Sequence, residues 1–405
     1  MAEVEPKNRT EQLANPFRPG NGVRPPYLAG RDRLLVEFDA FLAESHPPHL
    51  NWTLTGIRGT GKTVLLGEFA GRGERAGWLC TEREVGERHR DEQELADALA
   101  DDCQALIRRC SALAGVGDAI ERAWAYVRPR RISVGEVGYE PAYGEESPDA
   151  ARQIRAAIEG LDGALAETEA AGALLLFDEA HLLTDDRRAG HFPLSSLLAG
   201  LGHAQRTSSR VRVVLCGLPT LSLNLKRART YAERMFRHVV IGNLDLEDAW
   251  DALRIPLSRS DRSFELALLG EIVERTAGYA YFLQFFAGYL CSRIGHPEVR
   301  LADYLKLEPS LLHELDLAFF EDRYLVAGTA GQRMLSAMAR SGGRVSAMSL
   351  RRALGDLPNV DVIVRRLIDR GLVYRPTRGT YDFALPLFGS YLRRRAELTH
   401  LTPTR

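Results

Sequence analysis

Apolar positions recur at helical spacing from Leu34 to Leu42, where Leu34, Leu35, Phe38, Phe41 and Leu42 share one face, and the spacing predicts a first helix. Asn51–Thr55 (NWTLT) is short, β-branched and aromatic, and reads as a strand. A glycine-rich turn follows, then a helical pattern from Thr63 to Arg72 and a second strand at Trp78–Thr81. Residues 91–113 and 149–170 read as helices, and 128–148 as a loop or short hairpin within a helical insertion. Ala173–Phe177 (ALLLF) is apolar on both faces, as a buried strand must be. Leu194–Leu201 reads as helix, Val211–Leu215 as strand, Arg229–Arg237 as helix and His238–Ile241 as strand. Strands alternating with helices imply a doubly wound parallel sheet of α/β class.

The pattern changes at Asp245. Its tract Asp245-Leu246-Glu247-Asp248 puts acids in a first helical turn, and no strand pattern follows up to residue 327. After that, Gln332–Ala339, Ser349–Leu354 and Val360–Asp369 read as three helices, the third with Val362, Ile363 and Leu367 inward. Leu372–Arg375 and Thr380–Ala384 alternate as a hairpin around Pro376–Gly379. The predicted organisation is a leader at 1–25, loose because it is rich in Pro, Asn, Arg and Gly, an α/β core at 26–244, a helical lid at 245–327 and a winged-helix-like domain at 328–405. No repeat or low-complexity block interrupts it.

Composition narrows the class. An apolar fraction of 45% and a charged fraction of 26% are ordinary for a globular protein. The chain lacks an uninterrupted apolar stretch of about 18 residues, so no membrane partner is expected. The five cysteines (80, 103, 110, 216 and 291) form no CxxC pair and read as buried free thiols of a reducing, cytoplasmic compartment. The net charge of −1 hides an asymmetry: residues 328–405 carry 14 Arg, no Lys and 5 acidic residues, or +9, against −10 for the rest. A polyanionic partner for the basic end is one consequence, and docking of that end on the acidic body is another.

The candidate chemistry lies in two segments. Gly56-Ile57-Arg58-Gly59-Thr60-Gly61-Lys62-Thr63 matches G-x-x-x-x-G-K-[ST], with a strand before it and a helix after it, as a phosphate-binding loop requires. Its glycines let backbone N–H groups turn inward around phosphate oxygens, and the helix N-terminus adds unsatisfied donors. Lys62 would reach the β- and γ-phosphates of ATP, and the Thr63 hydroxyl would ligate Mg²⁺. Lysine stands at only four positions, 7, 62, 226 and 306, in a chain that otherwise uses arginine. The second segment is Leu174-Leu175-Leu176-Phe177-Asp178-Glu179-Ala180-His181, an apolar strand ending in two acids. Asp178 would hold Mg²⁺ and Glu179 would polarise the attacking water, while His181 reads as a structural histidine or a relay.

These motifs resemble the AAA+ ATPases, specifically the Orc1/Cdc6-like group and its archaeal-type and STAND signalling relatives. Besides the two motifs, Leu28-Ala29-Gly30-Arg31, VVLCGLP and the order core, lid, winged helix carry the likeness. It implies ATP or ADP bound between core and lid, with contacts from Gly56 to Val64 and, near the adenine, from Leu28 and Arg31. It also implies hydrolysis with Glu179 and Lys62, and an arginine finger for a self-associated neighbour; Arg234 stands about where such families place it, and an ordinary surface or ion-pairing arginine is an equal reading of it. Two features depart from the pattern. Val213–Pro219 has no Asn, Thr or Ser at the sensor-1 position, and Gly278–Leu283 has no sensor-2 arginine. The resemblance therefore points to slow or assembly-dependent turnover.

In the basic end, Arg365, Arg366 and Arg370 mark one side of the third helix, and Arg375 and Arg378 mark the wing. A helix of this kind enters a major groove while the wing meets the backbone, so double-stranded DNA is the first partner reading. The alternative is a signalling switch whose winged helix docks on a protein.

Overall fold

The structure, a computed structural model, describes residues 13–114, 148–207, 210–355, 357–377 and 379–401. The chain divides into two compact units, Asp32–Gly242 and a second that joins residues up to Arg31 to Asn243–Arg405. Residues 26–31, grouped with the core on sequence, thus cluster with the second unit.

The first unit is built on a parallel sheet of β1 (Asn51–Thr55), β2 (Trp78–Glu84), β3 (Gly172–Asp178), β4 (Val211–Gly217) and β5 (Phe236–Val240), in the order β2-β3-β4-β1-β5. Side-chain alternation divides the core between its two faces. On one face, α1 (Asp32–Ala43) and α2 (Lys62–Arg75) meet β1 through aromatic packing: Phe38 stacks on Phe69 at 3.7 Å, and Trp52 meets Phe38 edge-on at 5.5 Å. On the other, α3 (Glu92–Ala114), α4 (Pro148–Ala166) and α5 (Pro193–Ala204) cover β3 and β4 with one continuous core that includes Leu99, Ile154, Leu175, Phe177, Leu197 and Val213. This is the expected doubly wound α/β arrangement.

Two readings of this unit need correction. The helix predicted at Arg229–Arg237 is replaced by α6 (Thr220–Ala228) and the single turn α7 (Ala232–Met235), and β5 already begins at Phe236. Phe236 is 1% exposed, so its burial in the sheet outweighs the helical spacing of its neighbours. Strand β2 runs to Glu84, three residues beyond the apolar stretch, because parallel pairing with β3 continues from Trp78↔Gly172 to Glu84↔Asp178. The loop or hairpin predicted at 128–148 lies almost wholly outside the described residues.

In the second unit, α8 (Leu246–Ser258), α9 (Leu266–Thr276), α10 (Ala280–Arg293) and α11 (Leu301–Leu315) pack around Tyr279, Phe282, Phe286 and Tyr304. Asp245 caps α8, its side chain accepting from Asp248 N at 2.9 Å, as its acidic tract predicts. The region is not wholly helical: β6 (Ser263–Phe264) pairs with β7 (Glu298–Val299), too short a pair to leave a strand pattern. Nor is the described part of the leader loose. Asn15 Nδ2 donates to Gly288 O and Ser292 Oγ, both at 2.8 Å, and Phe17 is 3% exposed against Phe264. One phenylalanine and one asparagine suffice to dock a segment whose composition reads as loose.

A π-turn, Asp316–Phe320, leads from α11 into α12 (Glu321–Val326), then α13 (Gly328–Arg340), β8 (Val345–Ser346), α14 (Ala347–Leu354), α15 (Val360–Asp369), β9 (Val373–Tyr374), β10 (Thr380–Phe383) and α16 (Phe388–Leu401). The strands form an antiparallel sheet in the order β8-β10-β9, which adds a third strand to the predicted hairpin. The order of three helices followed by a hairpin is the one read from the sequence. Val362, read as inward, is 55% exposed; Ile363, Val364 and Leu367 form the buried stripe of α15 instead. Arg394 and Arg395 pair with Asp316 and Glu321, so part of the basic end is neutralised within this unit. Among the described residues no helix is long and apolar enough to cross a membrane.

Candidate nucleotide-binding site

The phosphate loop leaves β1 at Gly56, whose amide donates to Gly217 O at 3.2 Å. A Cβ on Gly56 would lie 2.3 Å from Ile241 O, so only glycine fits between β4 and the end of β5. Gly59 and Gly61 take φ of 79° and 91°, which turns the loop back on itself without steric cost. Thr60 Oγ1 donates to Ile57 O at 2.9 Å and closes the turn. Helix α2 opens at Lys62 with Gly61 as N-cap, so no side chain competes for its first N–H groups.

Both cations of the loop are held locally. Lys62 is 7% exposed, and its Nζ donates to Ile57 O at 2.9 Å. Burial pushes its amine below the usual lysine value, with Glu179 and Asp178 among the groups opposing the shift. Arg58 Nη2 donates to Glu179 Oε2 at 3.5 Å.

Strand β3 delivers the acids to the same edge. Thr63 Oγ1 donates to Asp178 Oδ2 at 2.7 Å, and Glu179 N donates to Asp178 Oδ1 at 2.7 Å. Glu179 itself takes the left-handed conformation, φ 52° and ψ 24°, which turns the chain sharply out of the strand. Burial raises its carboxyl above the usual range, Arg58 opposing. A hydroxyl and a carboxylate converging at the mouth of this loop suit a hard divalent cation bound together with phosphate oxygens.

Three residues near this edge make contacts that the sequence reading missed, although Cys216 and Gly217 stand in the VVLCGLP segment it singled out. Asn224, on α6, donates through Nδ2 to His181 O at 3.2 Å, Leu183 O at 3.3 Å and Thr184 Oγ1 at 3.1 Å, and so holds the chain after Glu179. Cys216, at the end of β4, has its thiol pushed well up by burial and by the carboxylate of Asp178. Gly217 lies against His181. No motif spacing links these positions, because the contacts join separate strand ends.

Other candidates lie elsewhere. Arg234 is exposed on α7, where its amide donates to Tyr231 O at 3.0 Å and its carbonyl accepts from His49 Nδ1 at 3.1 Å. Val64 is half-buried in the first turn of α2. Leu28 and Arg31 belong to the second unit, where burial lowers the Arg31 guanidinium and Asp248 opposes the shift. In the basic end, Arg365 and Arg366 are exposed on α15. Arg370 instead donates to Val326 O, and the Arg375 guanidinium lies 5.3 Å from the Tyr381 ring centre. Arg378 lies outside the described residues.

Residues 317–392 match a domain family described as a domain of unknown function, DUF8462. No curated protein matches the sequence. Among solved structures, a Walker-type ATPase of Pyrococcus abyssi superposes with a TM-score of 0.57 at 19% identity, covering 93% of this chain and 99% of that one. The Orc2 protein of Aeropyrum pernix, solved in ADPNP and ADP complexes, superposes with a TM-score of 0.51 at 13% identity, covering 94% and 97%. The chain thus shares the fold of these two proteins, a P-loop NTPase fold built on a five-stranded parallel sheet.

Proposed function

We propose that this protein binds ATP with Mg²⁺ and hydrolyses it, and that nucleotide state controls what the winged helix binds. The observation that carries the reading is the 2.7 Å hydrogen bond between Thr63 and Asp178, which joins the phosphate loop to the acidic strand end. The loop amides and Lys62 would take the β- and γ-phosphates, and Thr63 and Asp178 would hold the cation. Bound there, Mg²⁺ would neutralise phosphate charge. Glu179 would accept a proton from the attacking water, its raised carboxyl favouring that role. Arg234 is exposed on α7, which suits an arginine finger offered to a neighbouring copy.

For the winged helix, exposed Arg365 and Arg366 support double-stranded DNA as the partner. One observation favours the protein-docking reading: Val362 and Met348, on α15 and α14, are 55% and 71% exposed. The test of the proposal is ATP turnover with and without duplex DNA over a range of protein concentrations, beside Glu179→Gln. Turnover that vanishes in Glu179→Gln supports the ATPase. Stimulation by DNA supports the DNA reading, and stimulation by concentration alone supports a self-assembling switch.

A further inference from the structure

The polar side chain missing from the end of β4 has a counterpart in the turn that follows the neighbouring strand. Strand β4 ends in Cys216-Gly217, and neither residue offers a hydroxyl or amide to the nucleotide edge. A Cβ on Gly217 would lie 2.8 Å from His181 N, 3.2 Å from its Cβ and 3.2 Å from its Nδ1. Gly217 is therefore glycine because His181 fills the space beside it. The His181 side chain is 8% exposed, and its Nε2 lies 3.6 Å from Glu179 Oε2. Asn224, which follows β4 on α6, holds the His181 carbonyl. One side chain thus touches the end of β4 and the acid proposed to activate water.

A structural role does not account for this ring. Its Nδ1 is buried and has no hydrogen-bond partner among the described residues. A buried polar atom without a partner destabilises the fold, and an apolar side chain would fill the space without that cost. The ring also stands among cations: burial, with Arg58 and Lys62 nearby, lowers it to about 4 and keeps the imidazole neutral.

We propose that His181 is a positioning residue for ATP hydrolysis, aligning Glu179 in place of the polar side chain absent from the end of β4. This inference rests on the ATPase reading of the site. Glu179 Oε2 lies between Arg58 Nη2, at 3.5 Å, and His181 Nε2, at 3.6 Å. Arg58 belongs to the phosphate loop, so a γ-phosphate draws its guanidinium away from Glu179. His181 Nε2–H, 3.6 Å from Glu179 Oε2, then closes to hydrogen-bond distance and fixes the carboxylate toward the water. Its neutral form donates through Nε2–H and carries no charge that would compete for the phosphate.

The test is steady-state ATP hydrolysis by the full chain, with nucleotide affinity measured separately using a fluorescent ATP analogue, for wild type, Glu179→Gln, His181→Ala, His181→Gln and His181→Asn. His181→Ala should lower kcat by about 10²-fold, the size of effect expected of a misplaced reacting group, and leave KM and nucleotide affinity unchanged. His181→Gln, whose amide N–H reaches the position of Nε2, should regain most of the rate, and the shorter His181→Asn should not. Unchanged kcat in His181→Ala would overturn the inference. Loss of nucleotide affinity or folding in step with kcat, or a His181→Gln variant as slow as His181→Ala, would also overturn it. Wild-type turnover that survives Glu179→Gln would instead remove the ATPase assignment, and this inference with it.

Discussion

Thr63 and Asp178 are 115 residues apart in sequence, and their side chains meet at 2.7 Å. The hydroxyl opens α2 and the carboxylate closes β3, so the contact fixes the loop relative to the sheet edge and gathers two oxygen donors at one point. If they hold the cation, Thr63→Ala should remove the Mg²⁺-dependent part of ATP affinity, about 10–100-fold, the equivalent of losing one hydrogen bond to a charged group. Affinity measured in EDTA should stay the same. Titration calorimetry in both conditions separates the outcomes, and equal loss in both would assign Thr63 to the loop's shape rather than to the cation.

Gly56 and Gly61 should fail for different reasons. A Cβ on Gly56 meets the Ile241 carbonyl at 2.3 Å, a backbone atom that cannot move aside alone. Gly56→Ala should destabilise the first unit by about 1–3 kcal/mol, in the range of overpacking. Gly61 has open space around it but a φ of 91°, so Gly61→Ala should cost about 1–2 kcal/mol through backbone strain. Denaturant unfolding measures both. A phosphate analogue should restore neither variant if its loop has left the cradle geometry.

The docked segment before Arg31 should matter to the second unit. Phe17 is 3% exposed and packs against Phe264 with ring centres 6.1 Å apart. Phe17→Ala should destabilise this unit by about 3–5 kcal/mol, the usual cost of emptying a buried phenylalanine site. Differential scanning calorimetry should show a lower transition for the second unit and an unchanged one for the first. An unchanged trace would mean that the segment contributes no stability there.

All five cysteines are buried and free, as their spacing predicts. Burial pushes the thiol of Cys80 up to about 12 and that of Cys291 up to about 11, so thiolate is scarce near neutrality. The folded protein should therefore react with a thiol-specific disulfide reagent only slowly at pH 8, and all five groups should react in denaturant. Rapid modification of one group in the folded state would reveal local opening at that residue.

The sequence carried those parts of the site that depend on local order. Gly56–Thr63 lies between a strand and a helix, and Leu174–Glu179 is an apolar strand with an acidic end; each is a continuous segment whose shape follows from its own residues. Contacts between segments left no such mark. Asn224 reaches back 43 residues to the His181 carbonyl, and the Gly217–His181 packing depends on β3 and β4 being neighbours. The shift from an expected helix at Arg229–Arg237 to β5 has the same origin, because Phe236 pairs with Asn51 in the sheet and that pairing lies outside any local window. In the last module, spacing identified α15 and two of its inward residues, Ile363 and Leu367, but took Val362 for Val364. A ten-residue helix spans fewer than three turns, so a short apolar run leaves the edge of its buried stripe weakly fixed.

The arginines of the basic end should divide into two groups when tested on duplex DNA. Arg365 and Arg366 are exposed on α15, whereas Arg370 donates to the Val326 carbonyl and stabilises the start of the module. If α15 meets phosphates, Arg365→Ala and Arg366→Ala should each weaken binding and each lower the slope of log K against log salt by about 0.9. Arg370→Ala should leave that slope unchanged and instead lower thermal stability. Fluorescence anisotropy between about 50 and 200 mM salt reads the slope directly. If no variant changes the slope, exposed Val362 and Met348 become the better guide to the partner, and Val362→Asp should then abolish capture of a protein rather than of DNA.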